Sequence, residues 1–202
     1  MSSNKVFYYL CVLLFFLSPT TEAQRFKEKI PLHQFFQSNY DSTIIYYGWS
    51  SWGGAPNYFI VSKKDSNTYY FSYTSPYRKM FGYKIPGDLD FKFMLEQSKF
   101  ENTPPDTNRY FFPVKIHYSL RNKYWTDINA FNIWRLTDDI KYSSKCETTD
   151  GGKDIYYLIT TAGIKSLSFY NADSLEDCEP DTNRQNEIKT RNLIMKIFNE
   201  NK

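Results

Sequence analysis

Two runs rich in β-branched and aromatic residues, 57–63 and 68–74, are separated by the polar tetrapeptide Lys64-Asp65-Ser66-Asn67. This pattern restricts the fold more than any other in the chain, because strand-forming runs joined by so short a polar break are expected to return side by side as an antiparallel hairpin. In the second run Tyr69, Phe71 and Tyr73 share one face, and Thr68, Tyr70 and Ser72 share the other, as the two-residue period of a strand requires. A second hairpin is expected downstream, where runs 155–161 and 164–170 flank an Ala162-Gly163 turn behind Asp150-Gly151-Gly152. Further strands are expected at 43–47 and at 112–120. In the latter, Phe112, Val114, Ile116, Tyr118 and Leu120 alternate with Pro113, Lys115, His117 and Ser119. That alternation would place His117 on the wetter face of a strand.

Helical signals surround these strands. Pro31 precedes a short apolar cluster of Leu32, Phe35 and Phe36 that suits one or two helical turns. Residues 88–98 read as a helix, with Pro86-Gly87 in front and Asp88 placed to cap it. Trp125, Ile128, Phe131 and Trp134 recur at three-residue spacing, which suits a short helix with its aromatic side inward. A C-terminal helix is expected over 183–199, with Thr182 and Gln185 as a capping box and Ile188, Ile194, Ile197 and Phe198 as its apolar stripe. The pentapeptide Pro-Asp-Thr-Asn-Arg occurs at 105–109 and again at 180–184; these are residues that turns and caps select, so the repeat is read as shared turn chemistry. The expected fold is α+β: a mostly antiparallel sheet of five or six strands, packed on one side by two or three helices including the C-terminal one.

The first 23 residues set the environment in which that sheet must survive. Lys5, an apolar run from Val6 to Leu17, and Thr21-Glu22-Ala23 match a secretory signal cleaved after Ala23. The run is a dozen residues long, shorter than the roughly 20 that a membrane-spanning helix needs. The expected mature chain, 24–202, is of a length that suits one domain with a sizeable core. It would be exported to the periplasm, the cell surface or the medium, with no membrane span left after cleavage. Cys11 leaves with the signal, so Cys146 and Cys178 remain as a pair that an oxidising compartment would join in a disulfide.

Composition excludes more than it proposes. The 25 basic and 22 acidic residues leave a formal charge of +3, scattered along the chain, which gives no footprint for nucleic acid. Aromatic residues reach 19 % of the chain, which suits sheets and also leaves local clusters open as binding faces. There is no Gly-x-Ser-x-Gly elbow, His-Glu-x-x-His, Cys-x-x-Cys or phosphate-cradling Gly-x-x-x-x-Gly-Lys motif, so serine hydrolysis, zinc hydrolysis, dithiol redox work and nucleotide binding lack their usual signatures. No cofactor or metal is expected from the two distant histidines, His33 and His117. Paired carboxylates, such as Asp138 and Asp139 or Asp88 and Asp90, are the one catalytic route left open.

The best functional candidate is the stretch from Tyr46 to Gly54, where Tyr47, Trp49 and Trp52 offer rigid amphipathic rings among glycines. The expected function is therefore a non-enzymatic exported binding or interaction module, acting on an envelope protein or a glycan through Trp49, Trp52 and Tyr47. The alternative is a small exported hydrolase using carboxylates that no motif marks, for which His117 would have to meet Asp138 or Asp139 in one pocket.

Overall fold

The structure is a computed structural model that describes residues 30–49, 57–73, 86–138, 146 and 151–201. The segment read as a secretory signal therefore lies outside the described residues, as do Trp52 and Asp139.

Six antiparallel strands form one sheet in the order β4-β3-β2-β1-β5-β6. The expected hairpins are both present: β2 (Tyr58–Lys64) with β3 (Asn67–Tyr73), and β5 (Lys153–Thr160) with β6 (Gly163–Tyr170). The first turn is tighter than expected and the second is displaced by one residue. Lys64 pairs with Asn67, so only Asp65 and Ser66 turn the first hairpin, and Asp65 takes the left-handed conformation, φ 53°. In the second, Gly163 already pairs with Thr160, and the turn falls on Thr161-Ala162. The central strand β1 (Ser42–Trp49) lies between β2 and β5.

The 112–120 strand is a correction. Only Phe111–Pro113, β4, joins the sheet; from Tyr118 the chain is already in α3 (Tyr118–Asn129), where α1 is Pro31–Asn39 and α2 is Gly87–Asn102. Val114 still donates to the Tyr70 carbonyl at 2.8 Å, but beyond it the chain leaves the sheet, and Ile116, Ile128, Ile133 and Leu136 bury against the sheet's face. The apparent two-residue alternation therefore marks no single face: Ile116 is buried and Val114 and Leu120 pack against the core from an irregular segment and a helix, whereas Phe112 and Tyr118 are exposed. Asp88 is a second correction. It does not cap α2, whose N-cap is Pro86 with no side-chain bond.

A third correction concerns the layers. Helices cover both faces of the sheet rather than one. On the first face Ile44, Tyr46, Phe59, Val61, Tyr70, Tyr156, Leu158, Leu167 and Phe169 meet α3, α4 (Ala172–Cys178) and α5 (Thr182–Glu200), the last through Ile194, Ile197 and Phe198. On the second, Leu32 and Phe36 of α1 pack onto Ile45, Ile60, Tyr58, Tyr73 and Ile159. The cause is visible in the central strands. Thr43, Ile44, Ile45 and Tyr46 are all buried, as are Tyr58 to Ser62, and strands buried on both faces read as continuous apolar runs rather than alternating ones. Five α-helices are present among the described residues, and each fully buried core side chain stabilises the packing by roughly 1.5–3 kcal/mol.

Local chemistry explains the element ends. Pro31 occupies the first turn of α1, where its missing N–H costs nothing. The carboxylate of Asp181 accepts the Arg184 amide at 3.0 Å, so α5 starts one residue earlier than the expected capping box. The two copies of the pentapeptide differ accordingly: one forms a single 3-10 turn at Pro105–Thr107, the other caps a helix. Gly151 is held so close to Asn171 that an added Cβ would sit 2.5 Å from that residue's own Cβ, which only a residue without a side chain permits. At the sheet's outer edge, Asp138 accepts the Ser168 amide and Lys165 donates to the Trp134 and Leu136 carbonyls. Segment 133–138 thereby shields part of β6, an edge that would otherwise invite pairing with another chain.

Candidate functional site

Trp49 stands on a strand, not in a glycine loop. Sequence reasoning ended β1 at Tyr47, but β5 is long enough to pair Gly48 with Asp154 and Trp49 with Lys153. Because residues opposite one another in an antiparallel pair share a face, the register lays out a surface row by row. Trp49, Lys153 and Tyr170 form one row; Tyr47, Ile155 and Ser168 the next; and Tyr157 and Ser166 lie in the row after. α1 reaches this part of the sheet's second face through His33, which packs on Tyr157; Trp49, Lys153 and Ser166 are exposed and the other residues half-buried.

The rings are fixed by their neighbours. Tyr47 lies 4.8 Å from Tyr58 and stacks on Tyr157 at 6.3 Å, and His33 of α1 packs 4.3 Å from Tyr157. Trp49 is 44 % exposed, and the Lys153 ammonium lies 5.7 Å from its ring centroid, a cation–π placement. Of the three aromatic candidates, the structure thus brings Tyr47 and Trp49 onto one surface.

On the opposite face of the same strands is a polar network that no motif announced. Tyr46 donates to Asp154 at 2.8 Å, and Arg191 of α5 donates to Asp154 at 2.8 Å and to Asp173 of α4 at 2.6 Å. Beside them Tyr156 donates to Oε1 of Glu187 at 2.8 Å. Glu187 is completely buried, and among the described residues its Oε2 has no hydrogen-bond partner. Burial first, and then the negative charge of Asp154, push its carboxyl up to about 8, so at neutral pH it is mostly the uncharged acid. Burial likewise raises the phenols of Tyr46 and Tyr156. Burial opposes the charge on Arg191, but Asp173, Asp154 and Glu187 outweigh it and raise its pKa.

This network has a sequence signal that was passed over. Asp154 sits two and four residues before Tyr156 and Leu158, in phase with the buried side of β5. Glu187 precedes Thr190, Ile194 and Ile197 at the three- and four-residue spacing of the helix's buried face. A carboxylate in phase with a core is a buried carboxylate.

The other catalytic candidates are not brought together. His117 follows β4 at one margin of the sheet, is exposed, and bonds Ser119 at 2.7 Å through its own ring nitrogen. Asp138 is held on the opposite margin by the Ser168 amide. The intervening strands span on the order of 20 Å at ~4.8 Å each.

Cys146 and Cys178 form a disulfide, with Cα atoms 6.0 Å apart. It ties the segment ahead of β5 to the end of α4, as a pair of cysteines held in an oxidising compartment would. Among the described residues no helix is long and apolar enough to cross a membrane. Compared with known proteins, the chain matches no protein-family model and no characterised sequence.

Proposed function

We propose that this chain is an exported, non-enzymatic binding module of one domain spanning 24–202, and that its ligand is a glycan, or a protein of the cell envelope, held on the Trp49 end of the sheet. The observation that carries this reading is the exposed Trp49 beside Lys153, in register with Tyr170 and one row from Tyr47 and Ser168. Aromatic faces stack on the apolar sides of sugar rings or on peptide side chains, while hydroxyl and ammonium groups nearby orient the polar ones. Export is supported by the disulfide and by the signal-like first 23 residues. Trp52 is retained in the proposal as a further contact on the basis of sequence.

A glycan panel of neutral and acidic oligosaccharides, read with the purified disulfide-bonded chain, tests the reading. Trp49→Ala should weaken the best binder by about tenfold or more, the loss typical of a central aromatic contact, with an unchanged circular dichroism spectrum. Full binding by a folded Trp49→Ala chain would remove this surface from the proposal, and hydrolysis of any panel member would favour the carboxylate enzyme instead.

A further inference from the structure

Away from the aromatic surface and from the Glu187 network, a pocket of about 330 Å³ opens between α2 and the turn that follows it, lined by Glu96, Lys99, Thr103, Thr107, Asn108, Arg109 and Tyr110. Its organiser is Glu96, which is only 6 % exposed although it lies on a peripheral helix. The side chain is covered by its own partners: Lys99 bonds one carboxylate oxygen at 2.9 Å, and Arg109, at 3.2 Å, and the Tyr110 hydroxyl bond the other. Those bonds, led by the one from Tyr110, hold the Glu96 carboxyl down at about 2, so it remains charged at any physiological pH.

One carboxylate therefore gathers two cations, and the cluster keeps one positive charge in excess. The donors are not used up. An ammonium has three N–H groups and a guanidinium five. Among the described residues Lys99 gives one to Glu96, and Arg109 makes its bonds to Glu96 and Tyr110 through Nη2. The guanidinium is also fixed in orientation, lying 4.8 Å over the Tyr110 ring. Both cations are mostly exposed, 66 % and 71 % for their side chains, on the wall of a concavity otherwise built from hydroxyl and amide groups. A preorganised, donor-rich pocket with a single surplus positive charge suits a monoanion, and a planar guanidinium suits a carboxylate.

We propose that this pocket binds a small ligand through one carboxylate group, such as a sugar acid, with Arg109 and Lys99 as the anion-holding side chains and Glu96 as the residue that positions both. A pocket of this volume is at the small end of ligand sites. Glu96 does not touch the ligand's carboxylate, which it would repel; it acts by holding the two cations and Tyr110 in place.

The test is a titration of the full disulfide-bonded chain, followed by amide NMR at low ionic strength, with sodium glucuronate, with inorganic phosphate and with uncharged glucose. Glucuronate should shift the amides of Thr103 and of residues 106–110 and saturate, while glucose should not. Arg109→Gln, and separately Lys99→Met, should each raise the glucuronate dissociation constant by about tenfold or more, as loss of a charge-assisted bond implies. The Lys99 variant leaves the Arg109–Glu96 pair intact, so it reports on binding if Arg109→Gln disturbs the turn. Absence of saturable shifts with glucuronate, or wild-type affinity in both variants, would show that the cluster only pins the turn to α2. Binding of phosphate without glucuronate would overturn the carboxylate assignment.

Discussion

Glu187 couples the stability of this fold to pH. Its pKa is about 8 in the folded chain against an ordinary 4.5, so between those values the folded state holds a proton that the unfolded state has released. The stability tied to that proton is complete below pH 4.5 and is lost as pH rises through 8. Wild-type thermal stability should therefore fall between pH 5 and pH 9. Glu187→Gln keeps an acceptor for Tyr156 and cannot ionise, so it should flatten the slope by an amount on the order of a few kcal/mol. Parallel melting curves across that range check it, and equal slopes in the two proteins would show that Glu187 is charged in the fold. The residue was readable from its phase with Ile194 and Ile197. Its pairing with Tyr156 was not, because that contact joins β5 to α5 and depends on how the helix lies across the sheet.

Elements were legible where local chemistry decides and were misread where tertiary packing overrides it. Both hairpins and the terminal helix follow from period and turn residues, whereas β4 is only three residues long because after Val114 the chain turns away from β3 to bury Ile116 in the core. The cap of α5 is a case where a one-residue difference is measurable. Asp181 accepts the Arg184 amide, so Asp181→Ala should cost about 1 kcal/mol in chemical denaturation, while Thr182→Ala should change little. The reverse order would restore the capping box centred on Thr182. The same limit applies to the candidate site, where Trp49 and Tyr47 were visible as residues, but the strand that presents them was drawn too short. The length of β1 is set by its partner β5, which lies more than 100 residues away in sequence.

At the scale of the whole molecule, the disulfide and the two-sided core stabilise the fold together. Closing the segment between Cys146 and Cys178, 32 residues apart, should contribute roughly 3–4 kcal/mol through the unfolded state. The double variant Cys146→Ser/Cys178→Ser should lose about that much in urea denaturation, and a loss below about 1 kcal/mol would mean that α4 and the segment before β5 are held by packing alone. The amino-acid sequence by itself determined the antiparallel sheet, the helix at the C-terminus and the cysteine pair, because period-two patterning, capping residues and oxidation act over short stretches or on residue identity. Only the tertiary structure decided that helices cover both faces, that Glu187 is buried beside Tyr156, that His117 and Asp138 lie at opposite margins, and that Lys99 and Arg109 converge on Glu96. The first three depend on which distant surfaces meet, and that is settled by the joint burial of apolar area across the whole chain rather than by any local preference, whereas the fourth depends on how the turn after α2 folds back to bring Arg109 beside Glu96.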